Sequence, residues 1–293
     1  MNKTVCRWPL AIYLLVASML PATTFAQDND FGLDFELGAE KKLAKGLKLG
    51  LEGKVRTQDN TTRIDRYGLG VDLSYKFFST ADKRWDAKVF GGFEYLWIQN
   101  LSTSEDKYYN ETNDLANEAN PDTPWQIGDV KGCNILDRYW RNRQRYSAGL
   151  SLSFAPNKRW SFSLKETFQY SHYNSVDSIG GLKVRRKYNG NNVEYWKTTR
   201  VDSLEGKPSR HKTVLRSRLE AKYDIPMCKF DPFASVEYTA GLNYSTTKWK
   251  YTVGTDYKLS KTKKLSVFYR YNHEDDDDEP SGHLIGFSYN IDF

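Results

Sequence analysis

The chain has 293 residues, 39% of them hydrophobic and 15% aromatic, with 20 Tyr and 15 Phe against 3 Met, and a formal charge of +6. Mean hydropathy is strongly negative, and after residue 26 no window holds the roughly 18 consecutive apolar residues that a spanning helix needs, which excludes a helical membrane protein. A membrane β-barrel is not excluded, because its strands need only about 10 residues each and are apolar on one face only.

The first residues read as a targeting segment. Lys3 and Arg7 form a charged start, Ala11–Leu20 a short apolar core, and Thr24-Phe25-Ala26 supplies small residues where such segments are cleaved. The expectation is a signal peptide over residues 1–26, cut between Ala26 and Gln27, followed by one barrel domain over 27–293. Losing Lys3 and Arg7 takes the formal charge from +6 to +4, a surplus that gives no reason to expect a nucleic-acid partner. Export would place Cys133 and Cys228 in an oxidising compartment, but they fall at opposite ends of the expected barrel, so no bridge is expected.

From residue 31 the dominant signal is a period of two. Phe31, Leu33, Phe35, Leu37 and Ala39 alternate with Gly32, Asp34, Glu36, Gly38 and Glu40. After the turn Ala44-Lys45-Gly46, Leu47, Leu49, Leu51 and Val55 alternate with Lys48, Gly50, Glu52, Lys54 and Arg56. Tyr67 to Phe77 and Trp85 to Trp97 continue the pattern, as do Tyr146 to Phe154 and Trp160 to Tyr170. Glu166 falls on the apolar face of the last of these, where a β-bulge or a local exit from the hydrocarbon zone is expected. Further strands are expected near Thr213–Tyr223, Phe230–Thr239, Trp249–Leu259, Leu265–Tyr271 and Leu284–Phe293. A helix would return apolar residues every three or four positions instead.

Alternation also occurs in soluble sandwiches, but many of these strands exceed the mode of about five or six residues. Their apolar faces carry aromatics near the ends, where interfacial girdles sit. The reading is therefore an all-β, transmembrane, antiparallel up-and-down barrel in the outer membrane of a Gram-negative bacterium. Short periplasmic turns are expected near 44–46, 79–83, 156–159, 225–229 and 260–264, and long outer loops near 58–64, 102–136, 176–210, 240–248 and 272–283. Leu182–Tyr188 and Val193–Thr199 read as a hairpin within the third long loop. Eleven spanning candidates emerge, yet both chain ends are expected in the periplasm, which demands an even count; twelve strands are expected, with ten as the alternative.

The inward-facing charges are the main functional lead. Arg141, Arg143 and Arg145 alternate along one strand and so share a face. Arg216, Arg218 and Lys222 do the same, joined by Arg56, Arg66 and Arg270 and by the acids Glu36, Glu52, Glu94, Glu220, Glu237 and Asp256. One reading is a basic pore lining for small anionic or polar solutes; the other is an ion-paired plug that fills a narrow barrel with a structural or adhesive role. An enzyme of the phospholipase or acyltransferase type is the third: His172, His211, His273 and His283 lie near outer strand ends, with Ser209–His211 and Ser281–His283 spaced to share a face. Neither pair stands out as nucleophile and base, so no catalytic residues are assigned and no enzyme is expected. Asp275–Asp278 with Glu274 and Glu279 reads as a solvated acidic loop rather than a Ca²⁺ site, and no metal or cofactor is implied.

Three sections resemble an uncharacterised outer-membrane barrel family of Gram-negative bacteria, filed as a domain of unknown function. They are Leu37-Gly38-Ala39-Glu40-Lys41-Lys42-Leu43 with Gly46–Arg56, the segment Asp231-Pro232-Phe233-Ala234-Ser235-Val236-Glu237-Tyr238, and the closing strands Trp249–Leu259, Leu265–Tyr271 and Leu284–Phe293. Lys248 stands where the family's pattern has Arg. The resemblance implies an outer-membrane barrel with no assigned activity, surrounded by outer-membrane lipid and lipopolysaccharide. In similar proteins a closing strand ending in an aromatic residue, here Tyr289, Ile291 and Phe293, is read by the barrel-assembly machinery.

Overall fold

The computed structural model describes residues 30–109, 128–188, 194–243, 247–274 and 282–293. The expected cleavage site at Ala26 and Gln27 and the acidic run Asp275–Asp278 lie outside the described residues. No helix among the described residues is long and apolar enough to cross a membrane, which says nothing of a β-barrel.

The period of two becomes strands wherever it was read. Eleven of them close into a barrel: β1 (Asp30–Ala44), β2 (Leu47–Gln58), β3 (Arg63–Ser79), β4 (Trp85–Asn100), β7 (Tyr139–Phe154), β8 (Trp160–Tyr173), β11 (Arg210–Tyr223), β12 (Phe230–Gly241), β13 (Thr247–Lys258), β14 (Lys263–Glu274) and β15 (Gly282–Asp292). They follow one another around the barrel in chain order. Four further strands, β5 (Ser104–Tyr108), β6 (Val130–Leu136), β9 (Val176–Tyr188) and β10 (Glu194–Lys207), form a separate sheet in the order β10-β9-β6-β5.

The barrel closes on eleven strands, not on the twelve or ten expected. Each of the eleven segments read from alternation is one of these strands; the requirement of an even count is what fails. It holds only where every neighbouring pair is antiparallel, and here β1 pairs with β15 in parallel, from Asp30↔Gly282 to Glu40↔Asp292. A parallel ladder is slightly weaker per residue, yet it leaves no open edge to aggregate. One consequence is that the two ends of the barrel chain lie at opposite rims. At one rim the Asn60 amide donates to Asp30 Oδ1 and the Thr61 amide to the Phe31 carbonyl. At the other the Phe293 amide donates to the Glu40 carbonyl and the Asp292 amide to that of Thr262. This second rim also carries the short turns. In the first of them Gly46 adopts φ 82°, a left-handed conformation that a side chain disfavours, and its carbonyl accepts from the Lys76 amide.

Burial is inverted relative to a soluble protein. Asp34, Gln169, Ser171, Asp231, Ser235, Glu237, Thr252, Asp256 and Ser288 are buried, while Leu37, Leu51, Leu69, Leu150 and Leu219 are each more than half exposed. Of the two outcomes expected at Glu166, the bulge does not occur. Phe162, Leu164 and Phe168 are exposed and Thr167, Gln169 and Ser171 buried, so the alternation keeps its phase through residue 166. Glu166 stays on the outer face because a neighbouring strand offers it a partner: Ser217 Oγ donates to its carboxylate at 2.6 Å.

The chain divides into two compact units, the barrel unit (Met1–Leu96, Gln144–Ser171 and Lys212–Phe293) and a second unit built from the insertions Trp97–Arg143 and His172–His211. Within the second unit the expected hairpin is β9–β10, with Leu182↔Arg200 and Val184↔Thr198 in register. It is joined by β6, where Cys133 faces Val184, and β6 by β5. Arg200 clamps Asp137 with two hydrogen bonds, at 3.0 and 2.5 Å. The strands β5 and β6 escaped the sequence reading because both are short, Ser104–Tyr108 is polar but for its last residue, and Val130–Leu136 places apolar residues on both faces without alternation. No disulfide joins Cys133 and Cys228.

Candidate functional site

The inner face of the barrel gathers charged side chains from many strands. Alternation sends Asp34, Lys54, Arg56 and Glu94 inward, and register sets Asp34 opposite Arg56. One oxygen of Asp34 accepts from Arg56 Nη2 and from Arg270 Nη1, each at 2.8 Å; Arg270 reaches it from β14 across β15. Glu94 on β4 is held from both sides, by Arg145 Nη1 of β7 at 2.6 Å and by the Lys54 ammonium of β2. Lys54 gets there by lying across β3 at Gly68, where an added Cβ would stand 2.8 Å from its side-chain carbons.

A third cluster centres on Glu237 of β12. Arg216 of β11 grips both its carboxylate oxygens, with Nε at 3.1 Å and Nη2 at 2.8 and 2.9 Å, and Lys250 of β13 donates at 2.9 Å. Such bidentate guanidinium–carboxylate pairs are among the stronger hydrogen bonds a protein makes. The remaining Arg216 nitrogen donates to Gln169 of β8 at 2.9 Å. Together the three clusters draw on nine of the eleven barrel strands, leaving out only β3 and β15. Each pair joins neighbouring or next-but-one strands, so the links follow the wall.

Within this ring the carboxylates at the centres of the three clusters are no more exposed than their cations. Side-chain exposure is 0% for Asp34, 8% for Glu237 and 15% for Glu94, against 15–29% for Arg270, Lys54, Arg56, Arg145, Lys250 and Arg216. Two further inner-face carboxylates stand 3.8 Å from these cations and are more exposed than the cations they face, Glu52 (48%) beside Lys54 and Glu36 (26%) beside Arg270. Six cations therefore face five carboxylates, of which Asp34 and Glu237 lie beneath their partners. Nearer the short turns a second set forms around Asp256, which accepts from Lys222 Nζ at 2.5 Å and Ser266 Oγ at 2.6 Å. Asp231 pairs with Lys258 at 2.8 Å and Lys222 at 3.4 Å. In the turn after β11, the Lys258 ammonium hydrogen-bonded to Asp224 holds that carboxyl below its usual range. Arg218 donates to Glu220 of its own strand at 2.5 Å.

Residues 32–282 match the family described as a protein of unknown function (DUF2490). The chain belongs to this family. The match takes in both units and ends at the start of β15, so the likeness noted for Leu284–Phe293 lies beyond it. No curated protein matches the chain.

In this DUF2490 protein the three alternating arginines part company. Arg145 enters the ring, whereas Arg141 and Arg143 belong to the second unit, where both are buried. Arg141 donates to the main-chain carbonyls of Asn174 and Pro208, and Arg143 Nη1 to the Tyr173 hydroxyl at 2.8 Å. Both guanidiniums and that of Arg210 stand over the Tyr173 ring, 4.7–5.4 Å from its centre. His172 and His211 also lie in the second unit, while His283 is on the outer face of β15, where its Nδ1 hydrogen-bonds the Tyr269 hydroxyl at 2.6 Å. Ser281 lies outside the described residues. Tyr289 and Ile291 share that outer face, and Phe293 is exposed at the short-turn rim. Among the described residues no three His, Cys, Asp or Glu converge on a metal position.

Sequence reasoning singled out Arg56, Glu94, Arg145, Arg216, Glu237 and Arg270 but not their partners Asp34, Lys54 and Lys250. Those three sit on the same inward phase of their strands, which is the one signal that marks them.

Proposed function

We propose that this DUF2490 protein spans the outer membrane of a Gram-negative bacterium and passes small anionic solutes through its barrel. Spanning is supported by the continuous exposed apolar face and by strand length. A 12-residue strand such as β13, tilted about 45°, rises on the order of 28 Å, close to the roughly 25 Å apolar band of membrane barrels. Exposed apolar surface of this extent calls for lipid or protein against it. The partners on this reading are outer-membrane lipid and lipopolysaccharide around the belt and the assembly machinery at the closing strand.

The observation that carries the anion preference is the make-up of the ring: six cations face five carboxylates, and the two most buried of these, Asp34 and Glu237, are covered by four of the cations. A lining with surplus ammonium and guanidinium groups is the arrangement used by anion pores. The plug reading has less support, because the ion pairs described run along the wall and hold the long cationic side chains against it. The test is conductance of the purified protein in planar bilayers under a salt gradient. Anion-selective channels are expected, with the selectivity reduced in Lys250→Gln and Arg145→Gln. A barrel that keeps its strand circular dichroism but opens no channels would overturn the pore.

A further inference from the structure

Lys165 of β8 is unlike the other inner-face cations of the ring. It is exposed, and among the described residues its ammonium makes no ion pair; it stands 4.3 Å from the centre of the Phe90 ring. That ring is fixed in turn by a gap in β7, since a Cβ on Gly149 would come within 2.7 Å of its far carbon. Lys165 is therefore held over an aromatic face, with all three N–H donors left for another partner. Arg216 and Arg218 lie beside it on the neighbouring β11, where Ser217, between them, bonds Glu166, the residue after Lys165, and Arg216 bonds Gln169 of the same strand.

The two arginines contribute differently. Arg216 spends its nitrogens on Glu237 and Gln169, so it supplies field rather than donors. Arg218 commits only Nη2, to Glu220, and its Nε is buried with no hydrogen-bond partner. An ammonium with three open donors beside a guanidinium with donors to spare suits a group that has several oxygens in different directions. A tetrahedral oxyanion fits this better than a planar carboxylate, which matches a guanidinium fork alone.

We propose that Lys165 and Arg218, in the field of Arg216, form an oxyanion-binding subsite of the phosphate class on the inner wall between β8 and β11. This deepens the reading of the lumen as an anion path and rests on it. The experiment is isothermal titration calorimetry of inorganic phosphate into the intact protein in detergent, which needs no conductance. Wild type is expected to bind, Lys165→Gln to weaken binding about tenfold or more, as loss of a hydrogen bond to a charged group does, and Lys165→Arg to stay within about threefold by keeping a charged donor. Circular dichroism of each variant confirms that the barrel is formed. Absence of phosphate binding, equal affinity in Lys165→Gln, or acetate binding as tightly as phosphate would overturn the subsite. Binding in a protein that opens no channels would end the path reading and leave the subsite standing.

Discussion

Asp34 is the most deeply buried carboxylate of the ring. It is fully buried and offers one oxygen to two guanidiniums that arrive from strands on either side of β1. Removing its charge would leave Arg56 and Arg270 repelling each other in a poorly solvated place, the situation in which breaking a buried pair costs about 3 kcal/mol or more. Asp34→Asn is therefore expected to lower stability by about that much, read from urea unfolding in lipid vesicles by Trp fluorescence. Arg270→Met added to it should recover part of the loss, a coupling that a double-mutant cycle measures. A cost below about 1 kcal/mol would mean that the ring behaves like surface ion pairs. The same residue shows why the site was only half legible. Alternation alone puts Asp34 and Lys54 on the polar face, but Asp34 meets a residue 236 positions away and Lys54 reaches past β3 to Glu94. Contacts of that kind depend on strand order and on a glycine gap, which no local pattern encodes.

At the scale of elements, the strands were readable because each must present one apolar face, a property written every second residue. Their number around the barrel was not, because parity depends on how the first and last strands meet. The parallel seam can be tested directly. On the outer face Leu37 stands opposite Tyr289 and Phe35 opposite Phe287, whose rings stack 5.6 Å apart. If β15 ran antiparallel to β1 with Phe35 and Phe287 still opposed, Leu37 would face Ile285 instead. In a background with Cys133→Ser and Cys228→Ser, the pair Leu37→Cys and Tyr289→Cys is expected to oxidise to a disulfide, since directly opposed strand positions fall within bonding reach. The pair Leu37→Cys and Ile285→Cys should stay reduced. The reverse result would mean that the barrel closes antiparallel and that its strand count is even. The second unit marks the other limit: its β9–β10 hairpin was visible through its sequence of paired strands, while β6 and β5, with little apolar alternation, extend that hairpin through pairings, β6 on β9 and β5 on β6, that no local pattern marks.

For the whole molecule, closure on eleven strands fixes where the ends go. The start of β1 at Asp30 lies at the rim of the β2–β3 connection, and Phe293 lies at the rim of the short turns. The expectation that both ends share the periplasm cannot hold for the barrel itself. On the proposed reading, with the short turns in the periplasm as is usual for membrane barrels, the residue-30 end of β1 would face outward and Phe293 would face the machinery proposed to read it. Two single cysteines in the same Cys-free background separate the rims: Thr62→Cys in the β2–β3 connection and Lys261→Cys in the β13–β14 turn, both at exposed positions. A membrane-impermeant maleimide added to intact cells is expected to label Thr62→Cys at once, and Lys261→Cys only after the outer membrane is permeabilised. Labelling in the opposite sense would invert the barrel in the membrane, and would place the carboxyl-terminal aromatic where no periplasmic factor could bind it.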